Sequence, residues 1–235
     1  DPVLDYDPDT DASSEAPLHA ALQAIEQHRL QLRWLLETHA HADHVSAGRR
    51  LKHRFPQATL AIGEGIRAVQ ATFAPRYGLQ LPAADEIFDH LFSAGETFAL
   101  GELRCQVIAV PGHTSDSIAY LIDDALFTGD SLFMPDGGTA RCDFPGGDAA
   151  QLYRSIQRLL ALPDATRVFV CHDYGPGGRS FANETTIGEQ RAHNIHVHDG
   201  VAEAEFVSVR QARDATLEEP KLMQPAVKAN IQGGA

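Results

Sequence analysis

The most constraining stretch of the 235-residue chain is Glu37-Thr38-His39-Ala40-His41-Ala42-Asp43-His44. It places three histidines and one aspartate within six residues, directly after residues 32–36, which the sequence predicts to be a short buried strand. Imidazole and carboxylate groups are ligands of zinc, iron and manganese, and packing them together without a cation is costly. A lone histidine is more often an ordinary surface or core residue, but this density of ligand-type residues predicts a metal site.

Ligand-type residues also follow three later strands of the predicted secondary structure. The strand at 103–110 leads to His113, the hairpin formed by 118–122 and 125–127 leads to Asp130, and the strand at 167–171 leads to His172. Each of these residues is weak evidence by itself. Because polar residues gathered at strand ends lie along one edge of a sheet, we expect the three to join the first cluster in one site.

The remaining sequence alternates predicted strands with predicted helices. Strands are predicted at 59–62 and 98–100, a loop with some helix at 75–89, a proline-interrupted tail at 217–235, and helices at 14–28, 45–55, 63–71, 151–162, 184–197 and 202–213. This alternation predicts a layered α/β or α+β enzyme. Since no repeat or low-complexity linker divides the chain, residues 1–235 are predicted to form a single domain, with C-terminal helices and a tail at about 180–235.

Composition narrows the class of protein. The hydrophobic share of 43% supplies a sizeable core, and 32 acidic against 19 basic side chains give a formal net charge of −13, which argues against a nucleic acid partner. No run of eighteen apolar residues is present, so the sequence predicts no membrane span. The three widely spaced cysteines are typical of a reducing compartment, and we expect a cytoplasmic protein.

The full ligand pattern resembles the metallo-β-lactamase superfamily, whose signature is a THxHxDH segment, a distant His, a TGD aspartate and a final His. Every position is filled, by Thr38, His39, His41, Asp43, His44, His113, Thr128-Gly129-Asp130 and His172. The resemblance implies the αβ/βα sandwich of that superfamily, with the site at one edge. It also implies that the first strands of the fold precede the residues matching Asp1-Pro2, so we expect this chain to lack that edge or to begin late.

Within the superfamily, the number of ligands alone favours two zinc ions. One would be held by His39, His41 and His113, the other by Asp43, His44 and His172, with Asp130 bridging them. That arrangement belongs to dizinc hydrolases such as glyoxalase II, in which a metal-bound water is acidified to act as a nucleophile. The chemistry of the ligands does not decide the matter further.

Other segments resemble those of the persulfide dioxygenases, namely Gly138-Thr139-Ala140-Arg141-Cys142-Asp143-Phe144, Cys171-His172-Asp173-Tyr174 and Pro225-Ala226-Val227-Lys228-Ala229-Asn230. Cys142 departs from the threonine that is common in that family. The resemblance implies one Fe(II) bound by His39, His113 and Asp130, and oxidation of glutathione persulfide by O2 to sulfite and glutathione. It leaves four ligand-type residues either beside the iron ligands or as unoccupied ligand positions, namely His41, Asp43, His44 and His172. Of these, Asp43, His44 and His172 would hold water and orient the iron ligands.

Glutathione carries two carboxylates, and a protein of net charge −13 must supply local cations to bind them. By the same resemblance, Arg141, Tyr174 and Arg191 match substrate-contact positions, although each could equally be a surface or packing residue. A β-lactamase is a further enzymatic alternative. A different class is a non-catalytic metal-binding or redox-sensing module in which Cys171 is reactive, although we expect Cys171 and Cys105 to be buried in their strands. A homodimer is an additional expectation.

Overall fold

The computed structural model describes residues 1–234 and divides into two compact units. The first unit comprises Asp1–Phe92 together with the chain from Glu218 onward, and the second comprises Ser93–Leu217. Among the helices of the described residues, none has the length and hydrophobicity needed to cross a membrane.

Strands and short helices alternate in the first unit. Its strands are β1 (Val3–Asp7), β2 (Ala12–Ser14), β3 (Trp34–Leu36), β4 (Val45–Ser46), β5 (Thr59–Gly63) and β6 (His90–Phe92). Before residue 93 its helices are α1 (His19–Gln27), α2 (Gly48–Arg54), α3 (Ile66–Arg76) and α4 (Ala84–Ile87). β1 pairs antiparallel with β2 and β4, whereas β3, β5 and β6 form a parallel sheet in the order β3-β5-β6.

The parallel sheet determines where the first ligand cluster begins. Its middle strand, β5, buries three successive residues, Leu60, Ala61 and Ile62. All three are apolar because this strand is covered on both faces of the sheet. β3 ends at Leu36, and the backbone of Glu37 still donates to the carbonyl of Ala61 on β5 at 2.9 Å. The ligand stretch therefore leaves the sheet at the carboxyl end of β3.

The second unit is built on a six-stranded sheet. Its strands are β7 (Thr97–Leu100), β8 (Leu103–Ala109), β9 (Ile118–Ile122), β10 (Ala125–Phe127), β11 (Arg167–Phe169) and β12 (Glu184–Thr186), in the order β12-β11-β10-β9-β8-β7. All neighbours pair antiparallel except β10 and β11, which are parallel. Because two antiparallel steps restore direction, β8, β10 and β11 all end at the same edge of the sheet.

Three helices accompany this sheet: α5 (Ala149–Leu160), α6 (Ile187–His193) and α7 (Glu203–Asp214). Leu152, Ile156 and Leu159 of α5 recur at helical spacing and are fully buried in the core of the unit. The backbone of α5 comes so close to Gly112 that a Cβ there would lie 2.3 Å from the Cα of Leu152. Gly112 therefore permits the close packing from which His113 follows.

The chain returns to the first unit through α8 (Met223–Asn230), where the sequence predicts only a tail. Ala226 and Val227 on this helix are buried, which supplies the apolar contact that a short helix needs. Pro225 is tolerated because it lies in the first turn, where a backbone N–H has no helical partner. The prediction of a tail was therefore wrong for these residues.

Two other predictions have different outcomes. Residues 184–186 form β12 rather than the start of a helix, whereas residues 84–87 form α4 within the segment predicted as a loop with some helix, which agrees with that prediction. Cys105 is buried as predicted, but the prediction for Cys171 was wrong, because β11 ends at Phe169 and leaves Cys171 exposed. An apolar run alone does not show where a strand stops pairing.

Candidate metal centre

The first cluster of ligand-type side chains is compact. The rings of His39 and His41 have centroids 3.8 Å apart, and those of His41 and His44 are 4.0 Å apart. His41, Asp43 and His44 each offer a ligand atom within 4.8 Å of the others, and both His39 and His41 are buried. The structure therefore brings these three imidazoles together within the first unit.

The hydrogen bond of Thr38 fixes which nitrogen of His39 carries the proton. Thr38 Oγ1 donates to Asp1 Oδ2 at 2.9 Å and lies 3.0 Å from His39 Nδ1. Because the single hydroxyl proton goes to the carboxylate, the hydroxyl accepts a proton from His39 Nδ1. Neutral His39 therefore has its lone pair on Nε2, the form that binds a metal.

His41 lies between two carboxylates. Its Nε2 is 3.1 Å from Asp1 Oδ1, and its Nδ1 is 3.9 Å from Asp43 Oδ1. Each ring nitrogen of His41 therefore faces a carboxylate. Such a buried imidazole suits either a metal ligand or a residue that orients its neighbours.

The backbone of this cluster is braced by Asn230 at the end of α8. Its side chain Nδ2 donates to the carbonyls of His41 at 2.8 Å and His44 at 2.9 Å, and its Oδ1 accepts from the backbone N–H of Ser46 at 2.8 Å. Ser46 in turn donates through its hydroxyl to Glu37, whose pKa is raised by burial. Asn230 is part of a segment that resembles the persulfide dioxygenases, and these contacts give the physical reason for an asparagine at this position.

The second unit brings together the three later ligand-type residues. Asp130 Oδ2 is 3.7 Å from His113 Nε2, and Asp130 Oδ1 is 3.4 Å from His172 Nε2. The parallel register of β10 and β11, with the backbone N–H of Thr128 donating to the carbonyl of Phe169, brings the ends of these two strands together. Two ligand atoms on one metal lie about 3.0–3.4 Å apart when each bond is about 2.1 Å, so the distance to His172 is at the upper end of this range and the distance to His113 exceeds it by a few tenths of an ångström.

The imidazole of His113 is also held in the tautomer that can bind a metal through Nε2. Its Nδ1 is 2.7 Å from the carbonyl oxygen of Arg141, which can only accept a hydrogen bond. Nδ1 therefore carries the proton, and the lone pair is on Nε2, the atom that faces Asp130. His113 and His39 reach the same tautomer through different partners, a feature that sequence reasoning missed because a backbone carbonyl carries no sequence signal.

Residues of α7 and of the segment between α6 and α7 hold the loop that supplies this carbonyl. Buried Arg210 donates to the carbonyl of Thr139 at 3.0 Å and pairs with Asp214, which accepts from the backbone N–H of Cys142 at 2.8 Å. The backbone N–H of Thr139 donates to Nδ1 of His196, whose pKa is lowered to about 4 by burial and then by the nearby Arg210 charge. The loop is thus fixed on both sides of Arg141.

The three predicted substrate contacts have different surroundings. The guanidinium of Arg141 pairs with both carboxylate oxygens of Asp143 at 2.6 Å and lies over the ring of Phe144. Tyr174 is 68% exposed and its ring stacks on that of His172, with centroids 6.3 Å apart.

Arg191 on α6 is placed differently. It pairs with Asp164 at 3.0 Å and with Asp199 at 3.0 Å, and these two carboxylates raise the pKa of its guanidinium. Its charge is therefore already offset by two acidic side chains. A substrate carboxylate at Arg191 would compete with both.

Comparison with known proteins identifies the class. Residues 1–172 match the model of the metallo-β-lactamase superfamily, and this range contains every predicted metal ligand. The chain therefore belongs to the metallo-β-lactamase superfamily, and its mixed α/β fold matches that of the family's solved members. Its clustered histidine and aspartate side chains are those of a metal-binding protein.

The chain is similar to proteins that carry different names. The chain is 44% identical to Glyoxylase B2 of Dictyostelium discoideum over 237 residues, which is 100% of this chain and 81% of that protein. It resembles the crystal structure of ETHE1 from Myxococcus xanthus with a TM-score of 0.77 and 33% identity, covering 99% of this chain and 93% of that one. It is also 32% identical to hydroxyacylglutathione hydrolase of Shewanella sp. (strain ANA-3), over 77% of this chain and 63% of that protein.

Proposed function

We propose that the protein is a persulfide dioxygenase that holds one Fe(II) through His39, His113 and Asp130. The observation that carries the proposal is the surroundings of the two histidines, whose Nδ1 atoms lie 3.0 Å from Thr38 Oγ1 and 2.7 Å from the Arg141 carbonyl oxygen, which leaves Nε2 of each ring for a metal. Two imidazoles with one carboxylate are the donor set of non-haem iron oxygenases. The similarity to ETHE1, a persulfide dioxygenase, supports this choice and extends over 99% of the chain.

The bound iron would supply the redox chemistry that joins the atoms of O2 to the terminal sulfur of the persulfide. The protein's own residues prepare the site for that reaction. Thr38 and the carbonyl of Arg141 prevent the two imidazole rings from rotating, because each accepts the Nδ1 proton. The four other ligand-type residues hold and orient water beside the site in this proposal; they are His41, Asp43, His44 and His172.

The persulfide is carried by glutathione, and we assign Arg141 a contact with one of its carboxylates. Asp143 and the ring of Phe144 set the direction of the Arg141 guanidinium, and a substrate carboxylate would compete with the single carboxylate of Asp143 for it. We assign Tyr174 a contact with the same substrate. Arg191 stays a weaker candidate, because Asp164 and Asp199 already occupy its guanidinium.

A dizinc hydrolase is the second candidate function. His41, Asp43 and His44 keep ligand atoms within 4.8 Å of one another, which is the spacing that a second metal ion needs. Sequence similarity to hydroxyacylglutathione hydrolase also favours this reading, although it covers a smaller share of both proteins than the similarity to ETHE1 does. Thioester hydrolysis and persulfide oxidation share the glutathione moiety, so the metal distinguishes them.

Metal content and oxygen uptake test the proposal together. Protein purified without added metal should contain about one iron per chain and little zinc, and should consume O2 with glutathione persulfide. His113→Ala should abolish both, whereas His172→Ala should keep most of the iron and lose about 10–100-fold in activity. His193→Ala, at an exposed histidine of α6, is the matched control and should leave both unchanged.

Two results would reject this assignment. Two zinc ions per chain, with hydrolysis of a hydroxyacyl thioester of glutathione and no oxygen uptake, would establish the hydrolase. If His172→Ala lost the metal as completely as His113→Ala, His172 would be a metal ligand and the set of three ligands would be wrong.

A further inference from the structure

The segment that follows His172 combines Tyr174, to which the proposed function assigns a substrate contact, with a glycine-rich stretch of chain. Tyr174 is followed directly by Gly175-Pro176-Gly177-Gly178, and each of the three glycines has a positive φ, between 54° and 80°. Glycine loses more conformational freedom on folding than any other residue, so such a segment does not hold a neighbouring side chain by itself. Something outside the glycines must fix the position of Tyr174.

Asp173 supplies the first part of that restraint. Its carboxylate is 6% exposed and accepts hydrogen bonds from the backbone N–H groups of Gly175 at 3.2 Å and Ala182 at 2.7 Å, which closes the glycine segment into a loop. It also accepts from Arg179 Nη1 at 2.6 Å and Nη2 at 2.7 Å. These bonds hold the pKa of Asp173 well below its usual range, chiefly because of Arg179.

Arg179 connects this loop to a second one. Its Nε and Nη2 donate to the two carboxylate oxygens of Asp136, each at 2.6 Å. Asp136 lies in the turn that begins at Phe133, and the ring of Phe133 meets the ring of His172 edge to face at 6.1 Å and that of Tyr174 at 5.8 Å. One guanidinium therefore ties the Tyr174 loop to the turn that carries its aromatic neighbour.

We propose that Arg179 is a positioning residue that sets substrate affinity by holding Tyr174 against His172 and Phe133. The inference rests on the proposed function, in which Tyr174 contacts the glutathione moiety. A planar guanidinium can bind two carboxylates through paired hydrogen bonds, a geometry that the ammonium group of lysine cannot reproduce. The action of Arg179 is indirect, so its effect on KM must pass through Tyr174.

A double-mutant cycle tests that dependence. Arg179→Ala and Tyr174→Ala should each raise KM for glutathione persulfide about 10-fold, with kcat changed less, which is the scale expected for a residue that orients a contacting group. If Arg179 acts through Tyr174, the double variant should also show about a 10-fold increase. Independent effects would multiply to about 100-fold and would overturn the proposal, as would a normal KM in either single variant.

Arg167→Ala is the matched control. Arg167 belongs to the same unit and also pairs with both oxygens of one carboxylate, that of Asp124, at 3.1 and 2.9 Å. It has no contact with the Tyr174 loop among those that the structure describes for it. Its replacement should leave KM unchanged. An equal rise in KM in this variant would mean that the effect of Arg179→Ala is general destabilisation, and the proposal would fail.

A second measurement separates this inference from the proposed function. In Arg179→Ala, hydrogen exchange at the amides of Gly175 and Ala182 should accelerate at least about 10-fold, because the carboxylate that accepts from them loses its anchor. Unchanged exchange would overturn the positioning role of Arg179, whichever reaction the enzyme catalyses. A wild-type protein without oxygen uptake would refute the dioxygenase alone, and the same cycle would then be measured with a hydroxyacyl thioester of glutathione. Without turnover of that thioester either, the role in substrate affinity would be refuted as well.

Discussion

Asn230 offers the most direct test of how the first ligand cluster is held. The substitution Asn230→Ala removes the donor to the carbonyls of His41 and His44 and the acceptor for the N–H of Ser46. Asn230 itself is buried, so water does not readily replace these partners. The variant therefore leaves two carbonyl groups and one N–H group of the ligand loop without the side chain that satisfies them.

The size of the effect follows from these bonds. A net contribution of about 1 kcal/mol for each of the three hydrogen bonds gives a loss of about 3 kcal/mol in the free energy of unfolding. For a chain of this length, about 1 kcal/mol corresponds to roughly 2–4 °C in Tm, so we expect Tm to fall by about 6–12 °C. Iron affinity should also fall by about 10–100-fold, because the loop that carries the histidines is no longer fixed.

The assay is thermal unfolding of the metal-free protein, followed by iron titration of each variant. Removing the metal first matters because a bound ion would stabilise the folded state and mask the difference. Gln232→Ala is the control, since Gln232 makes an exposed hydrogen bond to the carbonyl of Lys228 in the same terminal segment, and its Tm should change by at most about 2 °C. A similarly small change for Asn230→Ala, with unaltered iron affinity, would refute the reasoning.

Three further predictions concern the second unit. Arg141→Ala should raise KM for glutathione persulfide by about 10–100-fold without changing the iron content, and Arg191→Ala should raise this KM less. Oxygen uptake measures both effects, and a small persulfide without carboxylates should show no increase in KM. The pKa of His196 is about 4 in the folded state and 6.5 in the unfolded state. Because the unfolded state therefore binds a proton first, the free energy of unfolding falls as pH drops from 6.5 to 4. The expected loss, discounted for the partial exposure of the ring, is about 2 kcal/mol. His196→Asn should reduce this loss in unfolding measured at pH 7 and 4.5, and an unchanged pH dependence would contradict the assignment. A thiol reagent should label Cys171 rapidly in the folded protein and the other two cysteines only after unfolding, because those two are buried.

The metal ligands could be predicted from the sequence because their chemistry is local. His39, His41, Asp43 and His44 are neighbours in the chain, and no fold is needed to see that their side chains share an affinity for a cation. The elements that lead to His113 and Asp130 are also local signals, since β8 and the hairpin of β9 and β10 are largely apolar segments bounded by turn residues. The family resemblance followed from the order of these motifs along the chain.

The tertiary structure alone decided which groups support those ligands. Asn230 lies 189 residues from His41 in the sequence, and it meets the ligand loop only because α8 folds back onto the first unit. Arg179 similarly joins two carboxylates, one of them 43 residues away. Such contacts form between a side chain and a distant backbone or carboxylate, and no periodicity records them. The same limit explains Cys171, because its exposure depends on where β11 stops pairing with its neighbours and not on the apolar residues before it.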